Sequence, residues 1–505
     1  MGRQPFRYFF SSLIACFLAI APAGAQRSPD APSGDQRAPQ TGVLSLLPAD
    51  AVTEHVLEVG GATLAYTATA GTFSLFDQNG ERSAAIFYTA YRLAGASAEA
   101  RPVTFVFNGG PGASSTYLHL GLVGPKIVEF GAGSEGAGAW LRNNPDTWLK
   151  FTDLVLIDPV GAGWSRSAKP DNAGSFWGVR SDAQSLAKTI ALYVAHNGRT
   201  ASPKYLLGES YGGFRAVKVA RALQQEQGLA VAGIVMLSPF LEGALQFGAN
   251  RFALGAALQL PSLAAAELDR RHSFSEAALA AAERFALTEY LVTLAGRPPE
   301  GEAGRNFYER VAAITGLPIE VVTRSRGFIK DAYVKHARQA RQEIVSPYDA
   351  TVAAPDPFPE SGSAEGGDPI LDGSLQALGG LFVGYARDEL GYKTEMTYAL
   401  LNREVSGKWD WEGRGGRNQA SITRDLRELL GLNTSVGVLI AHGRSDLVTP
   451  YAVTRYVLDH LPQIGAGDRI RLKIYKGGHM LYLDPQARTA FTSDASAFYR
   501  ERAGP

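Results

Sequence analysis

From about residue 100 onward the chain repeats one pattern: a short apolar run closed by glycine, proline or a polar residue, then a helix-like stretch. The runs are VTFVFNGG (103–110), DLVLIDPVG (153–161), KYLLGES (204–210), IVMLSPF (234–240), VGVLIAHG (436–443) and RLKIYKGG (471–478). Strands that are apolar throughout suit a sheet covered on both faces. The pattern therefore predicts an α/β fold with a mainly parallel central sheet flanked by helices. Between Glu54 and Leu93 shorter β-like runs alternate with glycine-containing turns and predict antiparallel strands at the start of that sheet. In such folds reacting groups gather where strands end at their carboxyl edge, and nearly every unusual loop of this chain falls there.

The rhythm breaks between Phe240 and about Tyr398. SEAALAAAERFALTEYLVTLAG (275–296) is helical in pattern, whereas residues 352–370 are rich in proline, glycine and acids. The expected organisation is a core built from residues 46–240 and 401–505, with a largely helical lid inserted over 241–400. Residues 1–25 read as an export signal: Arg3 and Arg7, an apolar stretch from Tyr8 to Ala21, then the small residues Ala23-Gly24-Ala25. Residues 26–45, rich in Pro, Ser, Gln and Gly, read as a flexible lead-in. The single cysteine, Cys16, lies inside the signal, so the exported chain would rely on its core rather than on disulfides. Lipidation of Cys16 would leave the apolar Phe17 to Ala21 where a polar tether is expected, so periplasmic or secreted release is the preferred reading.

Composition removes other classes. Among 505 residues, 49 Lys+Arg balance 49 Asp+Glu, with 45% hydrophobic and 19% charged residues. That is not a disordered chain, and it gives no electrostatic footprint for nucleic acid or an anionic membrane. No apolar run after the N-terminus reaches the roughly 20 residues that span a bilayer. Oligomeric state leaves no mark on the sequence.

The chemistry centres on Gly208-Glu209-Ser210-Tyr211-Gly212-Gly213, which follows an apolar strand and precedes a helical run from about Phe214 to Gln227. Strand, G-x-S-x-G and helix in that order form the setting of a nucleophile elbow, where the turn is too tight for side chains beside the serine. The plain alternative is a structural serine in a glycine turn. A serine nucleophile needs a base, and the base an orienting acid, in the order Ser, acid, His. His460 sits in the helical run PYAVTRYVLDHL (450–461), away from the strand edge, while His479 sits in the loop KGGHMLY after a strand. His479 is therefore the candidate base. Asp446, in VGVLIAHGRSDLVTP, is the candidate acid; its competing reading is an N-cap for a helix starting near Pro450.

Backbone N–H donors for an oxyanion would come from Tyr211 and from Gly110, in the loop Asn108-Gly109-Gly110-Pro111-Gly112, whose glycines let backbone approach a substrate. A simple Gly/Pro turn is the alternative. Glu209, beside the nucleophile at a partly buried edge, would keep its proton and pair with a second carboxylate, with Asn108 as a neutral donor. That would suit recognition of a substrate's free C-terminal carboxylate; a solvated glutamate is the other reading.

NGGPGASS (108–115), DPVGAGWSRS (158–167), GESYGG (208–213), HGRSDLVTP (442–450) and GGHM (477–480) occur in this order and resemble the serine carboxypeptidases, particularly their bacterial exported members. The resemblance implies an α/β-hydrolase fold with a helical insertion and removal of C-terminal residues from peptides with a free C-terminus. It also implies a preference for acidic conditions and no metal or cofactor. By motif position it implies Ser210, Asp446 and His479 as the triad and Gly110 and Tyr211 as oxyanion donors. Asn108, Gly109 and Glu209 are then the substrate-binding residues.

Three departures qualify it. Ala113 stands where eukaryotic members have a cysteine, and Arg444 where the family has the first acid of G-D-x-D. Leu122 stands where many members carry a glutamate that helps hold the substrate carboxylate. Arg215, just after the elbow, is a candidate replacement, against a helix-surface role. Leu122 keeps open an esterase or acyltransferase using the same triad, and a non-catalytic binding protein on a hydrolase fold is the alternative of a different class. Trp177, Tyr392, Trp409 and Trp411 would line a pocket or simply fill the core.

Overall fold

The structure, a computed structural model, describes residues 42–130, 136–465 and 467–502. The expected export signal, Cys16 and most of the lead-in lie outside the described residues. Gly42–Leu46 is a turn of 3-10 helix with Leu44 buried, so packing begins ahead of the expected end of the lead-in at residue 45.

Nine strands carry the central sheet: β1 (Ala51–Val59), β2 (Ala62–Phe76), β3 (Arg82–Leu93), β4 (Val103–Phe107), β5 (Asp153–Ile157), β6 (Lys204–Glu209), β7 (Gly233–Leu237), β8 (Gly437–Gly443) and β9 (Ile470–Tyr475). Their order across the sheet is β1-β2-β3-β5-β4-β6-β7-β8-β9, and the short strand Arg166–Ser167 also pairs with β3. The pairs β1–β2, β2–β3 and β3–β5 and the pairing of the short strand with β3 are antiparallel, and the pairs from β5–β4 through to β8–β9 are parallel. The six apolar runs are β4 to β9, and the upstream runs are the antiparallel strands. With helices on both faces, this is the α/β-hydrolase fold.

Burial on both faces explains the apolar runs of β4 to β8, whereas the edge strand β9 is only half-buried. Successive strand residues point to opposite sides. In β6, Leu206 packs with the helices Val179–His196 and Tyr211–Glu226, while Tyr205 and Leu207 pack on the side of the C-terminal helix Pro485–Arg502. All six residues of β6 are buried, so no polar alternation survives in its sequence.

The segment expected to form the lid packs in two parts. The helices Ala253–Arg270, Glu276–Phe285, Gly301–Thr315, Ile319–Arg324 and Lys330–His336 share a separate apolar cluster that includes Leu263, Phe285, Val311 and Tyr333. Leu447, from the loop after β8, is buried in that same cluster. The helix Ala377–Asp388 instead belongs to the main body. Its apolar positions Leu378, Phe382 and Tyr385, at helical spacing, pack with Phe87, Tyr91 and Trp164. Tyr392 is buried in that core, and Trp177 and Trp409 are buried in the cluster on the opposite face. Among the described residues no helix is long and apolar enough to cross a membrane.

Candidate active site

Ser210 links β6 to the helix Tyr211–Glu226 with φ 60° and ψ −124°, a backbone conformation an L-residue adopts only under strain. The turn is held at both ends. Ser210 N donates to Leu237 O (2.9 Å), and Ser210 O accepts from Gly213 N and Phe240 N, both at 3.0 Å. The serine side chain makes no capping hydrogen bond to the helix, which leaves its hydroxyl free for other work. The loop after β4 lies directly on this turn. A Cβ at Gly109 would come within 2.7 Å of Tyr211 N, and one at Gly212 within 2.6 Å of Phe107 O, so both positions need glycine. Gly110, with φ 95°, continues the same loop.

Asp446 and His479 meet across the next two strand ends. His479 Nδ1 lies 2.8 Å from Asp446 Oδ2, and both side chains are buried. A carboxylate at Nδ1 favours the tautomer with the proton there, leaving Nε2 as the proton acceptor. Asp446 Oδ1 accepts from Val448 N (2.7 Å) and Thr449 N (3.0 Å), and the Thr449 hydroxyl lies 2.7 Å from Oδ2 and 3.0 Å from His479 Nδ1. Burial alone would raise the Asp446 carboxyl, but the His479 charge and these hydrogen bonds hold it below its ordinary value. Burial likewise opposes the charged imidazole. The Asp446 charge and hydrogen bond, helped by Glu209, outweigh that and hold His479 above its ordinary value.

The loop after β7 joins this pair to the elbow. Ser238 Oγ donates to His479 O (2.7 Å), and two residues later Phe240 N donates to Ser210 O. Asp446 is not the cap of the following helix, whose N-cap is Pro450, because its oxygens are spent within its own loop.

Glu209 is 2% exposed. Asn108 Nδ2 donates to its Oε2 at 2.5 Å, and Tyr482 OH donates to Oε2 at 3.0 Å. Asn108 is itself aligned by Leu118 N, which donates to its Oδ1 (3.1 Å). Two neutral donors do not repay the loss of water, so burial pushes the Glu209 carboxyl up to about 7. It is therefore not a solvated glutamate.

Residues 68–242 match the family model of the serine carboxypeptidases. The match spans about a third of the chain and holds the 108–115 loop, the 158–167 motif and the elbow; Asp446 and His479 lie beyond it. With the strand order it supports a serine hydrolase. A comparison with curated proteins finds no match. Similar solved structures include proline iminopeptidase from Mycobacterium smegmatis, 16% identical with a TM-score of 0.35, covering 89% of this chain and 99% of that one. A thermophilic esterase from Thermogutta terrifontis is 13% identical with a TM-score of 0.35, covering 86% and 99%. A soluble variant of monoglyceride lipase from Saccharomyces cerevisiae is 12% identical with a TM-score of 0.37, covering 85% and 94%.

The departures from the family pattern now have locations. Leu122 is fully buried in the core, in the π-helical turn His119–Val123, with Asn144 Nδ2 donating to its carbonyl (2.8 Å). Arg215 is neither a surface residue nor free for a substrate. It is buried, ion-paired with Asp182 (2.6 Å), and donates to the main-chain carbonyl of Asn108. His460 is exposed, with Nδ1 2.7 Å from Tyr456 O. Trp411 packs edge-on to Tyr211.

Two residues of the site carry no signal that sequence reasoning used. Tyr482 reaches Glu209 from a position 273 residues away, although it lies in the same loop as His479. Asp158, inside the 158–167 motif, accepts from Ser115 N (2.7 Å) and from Tyr398 OH (3.0 Å) and so anchors the 108–115 loop; burial lifts its carboxyl to about 6.

Two tests follow from this geometry. Glutamate at position 122 would bury an unpaired carboxyl in the core instead of restoring a carboxylate site. Leu122→Glu is expected to cost about 3 kcal/mol or more in urea unfolding, with no fall in KM. Glu209 binds its proton more tightly folded than unfolded, so stability from this group is complete below the unfolded pKa and is lost as pH rises through about 7. Glu209→Gln removes that loss. Relative to wild type, its unfolding free energy is expected to improve by roughly 3 kcal/mol between about pH 5 and pH 8.

Proposed function

We propose that the chain is an exported serine-type carboxypeptidase that releases C-terminal residues from peptides through an acyl-enzyme. In this reading Ser210 Oγ attacks the carbonyl of the last peptide bond while His479 Nε2 takes its proton, and Asp446 holds the imidazole and stabilises its charged form. The N–H groups of Gly110 and Tyr211 receive the developing oxyanion. Collapse breaks the C–N bond, and His479 returns the proton to the departing amine. Water then attacks the ester by the same route, freeing Ser210. Asn108, Gly109 and Glu209 hold the terminal carboxylate of the substrate.

The observation that carries the reading is the Asn108–Glu209 hydrogen bond immediately before Ser210, with Glu209 buried and lifted to about 7. A protonated carboxyl donates a hydrogen bond to a substrate carboxylate; an ionised one repels it. Binding of a free C-terminus therefore weakens as pH rises through that value, and the reaction favours the acidic side. The catalytic base must meanwhile be neutral, so Glu209 and His479 shape the profile as an interacting pair.

Two observations favour a second reading. Tyr482 already donates to Glu209, and the glutamate position of the family is core leucine, which suits an esterase or acyltransferase with the same nucleophile. A non-catalytic binding protein is separated from both by a serine-reactive fluorophosphonate probe.

An N-blocked dipeptide and its C-terminal amide, assayed from about pH 4 to 8, decide between the enzymatic readings. Cleavage of the free acid alone, strongest at low pH, is the expected outcome; equal cleavage of both, or of simple esters only, gives the esterase. Ser210→Ala is expected to abolish turnover with the fold intact, as read by circular dichroism. Glu209→Gln removes the smaller of the two carboxylate charges that hold His479 up, so the acid limb of kcat/KM is expected to move to lower pH and the alkaline fall to flatten. An unmoved profile removes Glu209 from substrate recognition.

A further inference from the structure

The loop that carries Asp446 is held from one side by its own strand and from the other by the insertion. The strands Glu343–Val345 and Ala353–Pro355 form an antiparallel hairpin, closed at its tip by Ser346 N donating to Val352 O (2.9 Å). The tip, residues 346–352, lies on the two loops of the Asp446–His479 pair. Ala350 N donates to Ser445 O (3.0 Å), Leu447 N to Pro347 O (3.0 Å), and His479 N to Tyr348 O (2.6 Å). Ser445 Oγ donates to Asp349 Oδ1 (2.8 Å), and the Tyr348 ring stands edge-on to the His479 ring, 5.4 Å between centroids. The approach is close enough that a Cβ at Gly478 would fall 2.5 Å from the Asp349 Cα.

Two further ties run from the same loop to the helical cap. Arg444 makes paired hydrogen bonds to Asp269 on the helix Ala253–Arg270 (3.0 and 2.7 Å) and stacks on Phe274. Leu447 is buried in the cap's own apolar cluster. Arg444, Ser445 and Leu447 are thus each bound to the insertion, by side chain, main chain or both, and Asp446 is held between them.

We infer that the hairpin tip is a positioning clamp for the Asp446–His479 pair and that Asp349 is its positioning residue. The inference rests on the catalytic roles proposed above. Asp349 touches no reacting atom. Its Oδ1 accepts from Ser445 Oγ and from Thr351 N (3.0 Å) and Oγ1 (2.7 Å), so one carboxylate shapes the tip and grips the residue before Asp446. A shift of about 1 Å in a reacting group costs up to roughly 100-fold in rate, so loosening this grip acts on turnover and not on substrate affinity.

The test uses the full chain and three variants: Asp349→Ala, Asp349→Asn and Asp269→Ala. The readouts are the rate of fluorophosphonate labelling at Ser210, kcat and KM separately, and the far-downfield proton NMR signal of His479 Nδ1–H. Asp349→Ala is expected to slow labelling and kcat about 10- to 100-fold with KM within about twofold, and to weaken the NMR signal. Asp349→Asn keeps an acceptor oxygen for Ser445 and is expected to recover most of both. Should Asp349→Ala fail to fold, Asp269→Ala loosens the same loop from the cap side, with an expected slowing of about 3- to 10-fold. Wild-type labelling and an unchanged signal in the folded variants overturn the clamp, as does an asparagine variant as slow as the alanine one. A wild-type chain that the probe does not label instead ends the proposed function, and the His479 signal alone then decides the clamp.

Discussion

Three backbone segments share a space at residue 210 that has no room for extra side-chain atoms. The end of β6 turns there into a helix, the loop after β4 lies across the turn, and Cβ atoms at Gly109 or Gly212 would collide with neighbouring backbone. This crowding forces Ser210 into a positive-φ conformation, and the hydrogen bonds to Leu237 and Phe240 repay the strain by tying the turn to β7 and the loop after it. The consequences spread along the sheet edge. Tyr211 N sits against the glycine loop, Glu209 is driven inward, and the loop after β7 is drawn to where it also contacts His479.

Two carboxyl groups near this turn show how environment, not residue type, sets charge. Glu209 and Asp446 are both buried. Asp446 faces two backbone N–H donors, a threonine hydroxyl and an imidazole whose charged form favours the ionised carboxylate, and stays below its ordinary value. Glu209 has hydrogen bonds only from a neutral amide and a neutral phenol; these and the His479 charge do not offset its burial, and it is lifted to about 7. Pairs of groups pushed apart in this way are what acid–base chemistry at one sheet edge requires.

The insertion serves two structural ends. Its first part builds a separate apolar cluster over the edge and reaches down to the Asp446 loop; its last part, around Phe382, fills the face left open by the antiparallel strands. Arg444 belongs to the first of these. Where the family has an acid, this chain has a cation that pairs with Asp269 of the cap, so the departure marks a contact between core and insertion.

The sheet was legible in the sequence because burial on both faces leaves unbroken apolar runs, and the run ends mark the strand edge without further information. The elbow was legible for a similar reason: its glycines, serine and flanking strand and helix are contiguous, so the local sterics are written in one hexamer. Asp446 and His479 could be named as candidates because each closes such a run. Contacts between distant segments left no comparable trace. Tyr482 on Glu209, Asp158 on Ser115 and Asp349 on Ser445 are each single hydrogen bonds across many residues, and a lone polar side chain shows no periodicity. How the insertion packs was not legible, because a helical pattern tells which face is apolar but not which surface it meets, and the face of Phe382 meets β3. Arg215 shows the same limit: position made it a candidate for a substrate carboxylate, but only the fold brought Asp182 and the Asn108 carbonyl within its reach.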